Sequence, residues 1–342
     1  MQSKPKILLV YTGGTIGMMK SADTGALKAF NFNKLLQKIP ELKLLDCEIE
    51  TISFETPIDS SNMNPSQWCL IAQIIEKKYN QFDGFVVLHG SDTMSYSASA
   101  LSFMLENLSK PVIFTGSQLP IGDLRTDAKE NLITAIQIAS LQENNQPIIN
   151  EVCLYFEYKL YRGNRTTKIN AEHFKAFTSP NFPELAESGV HLKINKNVVF
   201  TKSSYKKLIV HTQMDNNVFI LKMFPGINQT ILSSIINIST LKGLILETYG
   251  AGNAPTDDWF IDLLKNAINN GLHIVNVTQC SGGSVSMGDY ETSTTMKKIG
   301  VISGKDITTE AAITKMMYLL GQKPTIDDFK QIFETSIRGE LT

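Results

Sequence analysis

Three short stretches place glycine beside a hydroxyl or an acid at the end of an apolar run. They read TGGTIG at 12–17, HGSDT at 89–93 and TGSQ at 115–118. Glycine lets a backbone come close to a bound group, and a threonine or serine can act as a nucleophile once its hydroxyl is activated. Asp92 directly follows Ser91, where a carboxylate can orient a base or bind an ammonium group. These residue types allow a hydroxyl nucleophile, with any lysine partner supplied from elsewhere in the chain. The alternatives are a structural turn at TGGTIG and a helix-capping or turn role for Asp92.

The elements that must position these stretches are strands and helices in alternation. Continuous apolar runs predict strands at 6–11, 49–54, 84–89, 111–115 and 151–156. Continuous rather than alternating runs are typical of parallel strands that are covered on both faces. Ligands bind outside the carboxyl ends of such strands. The three glycine-containing stretches therefore fall where an open parallel sheet would hold its ligand.

Helical patterns lie between these strands. Asn64 followed by Pro65 predicts a capped helix start, and the residues at 97–108 place apolar side chains on one helical face. Asp127 with Glu130 resembles a capping box. Strands alternating with helices predict a parallel α/β sheet.

The second half of the chain has two parts. Residues 157–206 are rich in Lys, Asn, Thr and Ser, which predicts a loop-rich end to the first domain, a linker and a short hairpin. The α/β rhythm then returns. It predicts strands in FILKMFPG, GLILETYG and HIVNVTQC, and helices over Thr256–Gly271, near 308–320 and at 325–337, the last with a capping box formed by Thr325 and Asp328.

The fold prediction is therefore α/β. We expect a larger N-terminal domain with a mainly parallel sheet and a smaller C-terminal α/β domain. The expected boundaries are 1–185 for the first domain, 186–206 for the linker and 207–342 for the second.

Composition narrows the functional classes. The chain has 342 residues and a net charge of -1, without long runs of one sign, which argues against nucleic acid or an anionic membrane as the main partner. No apolar stretch approaches the length of a membrane span. The N-terminal apolar run is too short for a signal peptide, so we expect a cytoplasmic protein.

Several familiar sites are excluded by spacing. The cysteines, at 47, 69, 153 and 280, are scattered without a CxxC pair, and HExxH is absent. Gly17 is followed by Met18 and not by the GK[ST] of a phosphate loop. The glycines of TGGTIG do not fit GxGxxG, and no GxSxG nucleophile elbow occurs.

A set of motifs in order along the chain carries a resemblance to a known family. They are TGGTIG, DSSNM at 59–63, HGSDTMSYSASALSFML at 89–105, TGSQLP at 115–120, YRGNRTTK at 161–168, TYGAGNAP at 248–255 and the C-terminal RGEL. Together they resemble the L-asparaginases, and most of all the cytoplasmic type I enzymes of bacteria. The pairing of TGGTI with HG(T/S)DT is highly specific, and the similarity covers essentially the whole chain.

The resemblance implies a reaction and a catalytic set. The family hydrolyses the side-chain amide of L-asparagine to L-aspartate and ammonia, without a cofactor or metal. By matching position, Thr15 is expected to be the nucleophile that forms an acyl-enzyme. Ser91, Asp92 and Lys168 are expected to form the supporting triad, with Lys168 close to Ser91.

The resemblance also implies how substrate is held. Asp92 and Ser60 match positions that bind the α-amino and α-carboxylate groups, and Ser61 lies in the same loop. Gly116 falls where a backbone carbonyl faces the substrate amide. Asn253 matches a residue that reaches the site from a neighbouring subunit, which implies a dimer or a dimer of dimers.

This chain departs from the family pattern in three places. Ser91 stands where the family usually has threonine, which loses the methyl group that restricts the rotamer. The family's activating tyrosine has no counterpart near Thr24–Leu27, since none lies between Tyr11 and Tyr79. Glu247 stands where some type I enzymes have an arginine that binds an allosteric asparagine, so we expect that form of allostery to be absent.

Two other interpretations follow from the same residues. The amidase subunit of a tRNA-dependent amidotransferase would carry an extra N-terminal domain before TGGTI, whereas the first strand here is expected to begin at residue 6. A catalytically weak sensor of asparagine or aspartate would account for the missing tyrosine. A binding protein, however, has no need to retain Thr15 together with Ser91, Asp92 and Lys168.

Overall fold

The computed structural model describes two compact units. It covers residues 4–20, 27–29, 39–200, 206–288 and 291–342. The N-terminal unit comprises residues 1–179 and 183–212, and the C-terminal unit comprises 180–182 and 213–342. The expected α/β class, with a larger N-terminal unit that carries a mainly parallel sheet, is confirmed.

The N-terminal unit is built on an eight-stranded sheet. Its strands are β1 (Lys6–Gly13), β2 (Glu48–Ile58), β3 (Gly84–Leu88), β4 (Val112–Thr115), β5 (Val152–Phe156), β6 (Lys159–Arg162), β7 (Ala186–Ser188) and β8 (Leu192–Ile194). The order across the sheet is β8-β7-β6-β5-β4-β3-β1-β2. The strands from β1 to β5 pair in parallel, and β6 to β8 add antiparallel pairs. The five predicted strands are all present.

Within the described ranges, this unit has the helices α1 (Pro65–Lys78), α2 (Met94–Met104) and α3 (Ala128–Ser140). Helices α2 and α3 contact strands of the sheet, and α1 packs against α2. The predicted start of α1 is confirmed, because the Asn64 side chain accepts a hydrogen bond from the N–H of Ser66. Every residue of β3 is buried, which explains why that strand reads as a continuous apolar run.

Two helix predictions need correction. The helix expected at 97–108 begins earlier and ends at Met104, because Leu105–Glu106 pairs instead with Ile209–Val210 as a short strand. The capping box at Asp127 and Glu130 is wrong, since the Asp127 side chain makes no capping bond. Its carboxylate accepts hydrogen bonds from the N–H groups of Gln118 and Leu119 in the preceding loop.

The stretch from 157 to 200 is more ordered than its composition indicates. Glu157 and Tyr158 form a two-residue turn between β5 and β6, with φ of 45° and 67°. Residues of the expected linker form β7 and β8, a hairpin at the sheet edge. Short antiparallel pairs complete the unit, at Met18–Lys20 with Leu27–Ala29, Gln142–Glu143 with Gln146–Pro147, and Thr167–Lys168 with Phe177–Thr178.

The C-terminal unit has a four-stranded parallel sheet. Its strands β9 (Val218–Lys222), β10 (Gly243–Thr248), β11 (His273–Thr278) and β12 (Ile302–Ser303) lie side by side in that order. The helices are α4 (Gln229–Ile236), α5 (Asp258–Asn269), α6 (Glu291–Lys298), α7 (Thr309–Gln322) and α8 (Ile326–Phe333). The three strands expected from the sequence are present.

Helix ends in this unit show which capping signals are used. Helix α5 begins at Asp258 and not at Thr256, and it ends before Gly271, whose φ is 93°. The hydroxyl of Thr325 accepts the N–H of Asp328 and caps α8, as predicted. In the part of the chain that the structure describes, no helix is long and apolar enough to cross a membrane.

Candidate active site

Close contacts at two glycines bring the carboxyl ends of three strands together. A Cβ added to Gly14, after β1, would lie 2.5 Å from the backbone nitrogen of Gly90, after β3. A Cβ on Gly90 would lie 2.6 Å from Oγ of Ser60, after β2. Real Cβ atoms do not approach so closely, so only glycine fits at these two positions. The loops expected to carry the site are therefore packed against one another.

Most hydroxyls in these loops tie strand ends together. Thr12 Oγ1 donates to the carbonyl of Leu88 at 2.9 Å, and Thr93 Oγ1 donates to the carbonyl of Ser60 at 2.7 Å. Thr15 differs from them. It opens the 3₁₀ turn Thr15–Gly17, its side chain is half-buried, and its hydroxyl has no hydrogen-bond partner among the described residues.

The expected triad residues contact one another directly. Lys168 Nζ lies 2.9 Å from Ser91 Oγ and 2.7 Å from Asp92 Oδ1. The Lys168 side chain is 16% exposed, whereas that of Asp92 is 67% exposed. An ion pair with one partner withdrawn from water has a fixed geometry, and the exposed Asp92 oxygens remain able to bind a ligand's ammonium group.

Two different elements deliver these groups. Ser91 and Asp92 lie in the 3₁₀ turn Ser91–Thr93, between β3 and α2. Lys168 ends the short strand Thr167–Lys168, which follows the turn Gly163–Arg165 and pairs with Phe177–Thr178. Lys168 thus lies on a hairpin that is more than seventy residues after Ser91 in the sequence.

Gln118 is a site residue that the sequence analysis did not assign. Ser91 Oγ donates to Gln118 Oε1 at 3.0 Å. Gln118 Nε2 in turn donates to the carbonyls of Ala171 and His173, at 3.2 and 3.0 Å. Its position in TGSQ was the available signal, since it follows a strand whose end belongs to the site.

Asp127 and Asn131 brace the loop that carries Gln118. Asp127 accepts hydrogen bonds from the N–H groups of Gln118 and Leu119 at 3.0 and 3.1 Å. Burial raises the pKa of Asp127, and these hydrogen bonds oppose that rise. Asn131 Nδ2 donates to the Gly116 carbonyl at 3.0 Å, so this carbonyl has one acceptor direction occupied from within the protein.

His89 supports the backbone that leads into Ser91. Its Nδ1 lies 2.7 Å from the carbonyl of Gly90, which can only accept, so Nδ1 carries the proton. Nε2 is then an acceptor from Ser97 Oγ at 2.8 Å, and Ser97 accepts from Trp68 Nε1 at 2.9 Å. Burial lowers the pKa of His89 to about 4, which keeps this fully buried ring neutral.

The two serines of the DSSN loop differ in their availability. Ser61 Oγ donates to the Asp59 carboxylate at 2.8 Å, and the Ser61 N–H donates to the same oxygen at 2.9 Å. These bonds lower the pKa of Asp59. Ser60 is buried against Gly90, next to the triad turn, whereas Ser61 is exposed. Ser60 is therefore better placed than Ser61 to contact a ligand at the triad turn.

Tyr11 is the phenol closest in sequence to the Thr15 turn. It is buried, and a Cβ on Gly17 would overlap its ring and hydroxyl. Burial raises the pKa of Tyr11 to about 12, so this phenol stays protonated at neutral pH. The stretch at Thr24–Leu27, which aligns with the family's activating tyrosine, lies outside the described residues except for Leu27.

The C-terminal unit carries the remaining expected residues. Asn253 pairs with Tyr249 through two backbone hydrogen bonds of 2.8 and 2.9 Å. Its side-chain Oδ1 is buried and accepts no hydrogen bond from the part of the chain that the structure describes. Glu247, at the end of β10, accepts a hydrogen bond from Thr309 Oγ1 at 2.6 Å.

The described residues contain no cluster of side chains suited to binding a metal ion. Within the described ranges, no group of three or more His, Cys, Asp or Glu side chains could hold a metal ion. The four cysteines are free thiols, and Cys153 is buried.

Comparison with known proteins gives the family. The model described as "Asparaginase, N-terminal" matches residues 6–200, and "Glutaminase/Asparaginase C-terminal domain" matches residues 217–333. L-asparaginase 1 of Escherichia coli K12 is 43% identical over 340 residues, which cover 99% of this chain and 98% of that protein.

Solved structures agree with the sequence matches. L-asparaginase I from Vibrio cholerae superposes with a TM-score of 0.90 at 40% identity, covering 99% of this chain and all of the other. The thermostable L-asparaginase from Thermococcus kodakarensis superposes with a TM-score of 0.89 at 30% identity, covering 98% and 99% of the two chains. The resemblance read from the motifs is thus confirmed: this chain belongs to the asparaginase family.

Proposed function

We propose that this protein hydrolyses the side-chain amide of L-asparagine to L-aspartate and ammonia, with Thr15 as nucleophile. The observation that carries the proposal is the contact of Lys168 with both Ser91 and Asp92, in a loop packed against the turn of Thr15. A hydroxyl nucleophile works with polar and charged groups placed beside it, and these residues lie in the adjoining loop. The full-length similarity to L-asparaginase 1 of E. coli supports the choice of substrate.

The reaction proceeds in two covalent steps. Thr15 Oγ1 attacks the amide carbon, the C–N bond breaks, and the hydroxyl proton ends on the departing ammonia. Water then attacks the ester carbon, and the bond to Thr15 Oγ1 breaks to release aspartate and restore the hydroxyl. Ser91 and Lys168 handle the water of this second step. The oxyanion formed in each step requires hydrogen-bond donors that are fixed in position.

Substrate recognition follows from charge. The exposed carboxylate of Asp92 binds the α-ammonium group, and Ser60, buried beside Gly90, donates to the α-carboxylate. The Gly116 carbonyl retains one acceptor direction for the amide N–H. Ser61 contributes by fixing the Asp59 loop, through the hydrogen bonds described above.

The alternative is a catalytically weak sensor that binds asparagine or aspartate. It is favoured by one observation, the lack of any tyrosine between Tyr11 and Tyr79. Both interpretations use Asp92 and Ser60 for binding. They differ in whether Thr15 forms a covalent bond.

Ammonia release separates the two interpretations. Purified protein is given L-asparagine, L-glutamine and D-asparagine in parallel, with Thr15→Ala as the control. Fastest release from L-asparagine, abolished in the variant, supports the hydrolase. Binding of L-asparagine by calorimetry without ammonia release from the native protein would overturn the hydrolase and support the sensor.

Self-association and a cytoplasmic location complete the proposal. The resemblance implies a dimer or a dimer of dimers in which Asn253 reaches a neighbouring subunit's site. That role is supported by the buried Oδ1 of Asn253, which accepts no hydrogen bond from the described residues. Sedimentation analysis of the native protein and of Asn253→Ala tests it. Both proteins should be dimeric or tetrameric, with activity reduced in the variant. A fully active monomer would contradict this part of the proposal.

A further inference from the structure

Gln118 is held in a single orientation by its neighbours. Its side-chain nitrogen faces the backbone carbonyls of Ala171 and His173, at 3.2 and 3.0 Å. Carbonyl oxygens only accept hydrogen bonds, so the amide must turn its NH₂ group toward them. Its oxygen, Oε1, therefore faces Ser91 Oγ at 3.0 Å.

That orientation determines where the Ser91 proton lies. A hydroxyl has one donor and two acceptor positions. Because Gln118 Oε1 can only accept, the Ser91 O–H must point to it. Lys168 Nζ, at 2.9 Å, then donates to one Ser91 lone pair, which leaves the second lone pair unoccupied by either neighbour.

Because residue 91 is a serine, its orientation depends on these hydrogen bonds more than that of a threonine would. The β-methyl group of the threonine that the family usually has at this position would restrict χ1, whereas serine has no such restriction. The Gln118 backbone is anchored as well, since its N–H donates to Asp127. An amide fixed at both ends can thus hold a side chain whose rotamer is less restricted than that of threonine.

We infer that Gln118 is a positioning residue for the reaction, which directs the Ser91 proton away from Lys168 and presents the free Ser91 lone pair to the hydrolytic water. The inference rests on the proposed hydrolase function and extends it to a residue with no assigned role. In this arrangement Ser91 accepts a hydrogen bond from the water, while Lys168 remains a donor. Loss of Gln118 lets the serine rotate and misdirects the water.

A double-mutant cycle tests the inference. Gln118→Met preserves length and removes both hydrogen-bonding atoms, and it is made in the native background and with Ser91→Thr. In the native background we expect kcat for L-asparagine to fall about tenfold, the size of one lost hydrogen bond, with KM changed much less. In the Ser91→Thr background the added methyl group restricts the rotamer by itself, so Gln118→Met should lower kcat by about threefold or less.

The controls separate positioning from a merely structural role. Gln137→Met, on the exposed face of α3, should leave kcat unchanged. If Gln118 only holds the loop at 171–173, Gln118→Met will lower kcat by the same factor in both backgrounds. That result, or no loss in the native background, would overturn the inference.

A crystal structure of Gln118→Met provides a readout independent of turnover. We expect Ser91 Oγ in a second rotamer, away from Lys168 Nζ. An unchanged Ser91 would overturn the inference even if the enzyme is active. Absence of ammonia release from the native protein would instead count against the proposed function, so the two failures are distinguishable.

Discussion

Gly14 and Gly90 meet backbone to backbone at the carboxyl edge of the N-terminal sheet. The φ of Gly14 is 83°, and a side chain there would place its Cβ 2.5 Å from the Gly90 nitrogen. This contact packs the turn of Thr15 against the turn of Ser91 and Asp92. The nucleophile loop and the triad loop are therefore positioned by two glycines, which explains why the first turn of the chain has the sequence TGGTIG.

Gly14→Ala tests the importance of this contact. The substitution adds a Cβ at a position with positive φ. This Cβ clashes with backbone atoms, which cannot move aside as a flexible side chain can. We expect the free energy of unfolding to fall by at least about 2 kcal/mol, together with loss of activity. Denaturant melts of Gly122→Ala provide the matched control, since that exposed glycine has nothing within 4 Å of an added Cβ. Equal stability of the two variants would contradict the account.

His89 predicts a pH dependence of stability. Burial lowers its folded pKa to about 4 from an ordinary value of 6.5, so the unfolded chain binds the proton first as pH falls. The contribution of the neutral ring is fully present above pH 6.5 and is lost as pH falls toward 4, by up to about 3 kcal/mol. Unfolding midpoints measured across this range should fall less steeply for His89→Gln than for the native protein. Parallel pH profiles would refute the assignment of a neutral, buried ring.

Lys315 and Glu340 form a buried ion pair in the C-terminal unit. Both side chains are fully buried, and Lys315 Nζ also donates to the carbonyls of Phe333 and Thr335 at 2.8 and 2.7 Å. The N–H of Arg338 donates to Glu340 at 2.7 Å, so the motif RGEL closes this cluster. Removing one charge strands the other in a medium of low polarity.

Glu340→Gln should therefore lower the free energy of unfolding by about 3 kcal/mol. Glu143→Gln is the comparison, because the Lys196–Glu143 pair is about 60% exposed and should contribute less than about 1 kcal/mol. Chemical denaturation of both variants measures the difference. A cost for Glu340→Gln no larger than that for Glu143→Gln would show that the buried pair is dispensable.

Glu247 predicts simple kinetics. Its carboxylate accepts a hydrogen bond from Thr309, and an acid at this position repels the carboxylate of a second asparagine. We expect the rate of ammonia release to depend hyperbolically on L-asparagine concentration. A Hill coefficient clearly above one in steady-state assays would mean that an allosteric site operates despite Glu247.

The parallel core could be predicted from sequence because strands that are buried on both faces appear as continuous apolar runs. The apolar run at 84–89 predicts a strand, and Gly84–Leu88 forms one with every residue buried. The hairpin formed by β5 and β6 has no comparable signal in the sequence. Glu157 and Tyr158 adopt positive φ without glycine or asparagine, so the usual turn signal is absent, and the segment reads as a loop.

Non-local contacts explain the remaining differences. Asp127 has the local pattern of a helix cap, yet its carboxylate is taken by the N–H groups of Gln118 and Leu119 from the preceding loop. Lys168 could be assigned only through its motif, because 76 residues separate it from Asp92 in the chain. The role of Gln118 does not follow from its motif, since its partners Ser91, Ala171 and His173 become apparent only in three dimensions.

The central claim is that Thr15 forms the covalent intermediate. Native protein mixed with L-asparagine and quenched rapidly in acid should carry an aspartyl group on the peptide that contains Thr15, detected by mass spectrometry. Thr15→Ala should still bind L-asparagine in calorimetry but should show neither the adduct nor ammonia release. An aspartyl adduct on another residue, or sustained turnover by Thr15→Ala, would contradict the account.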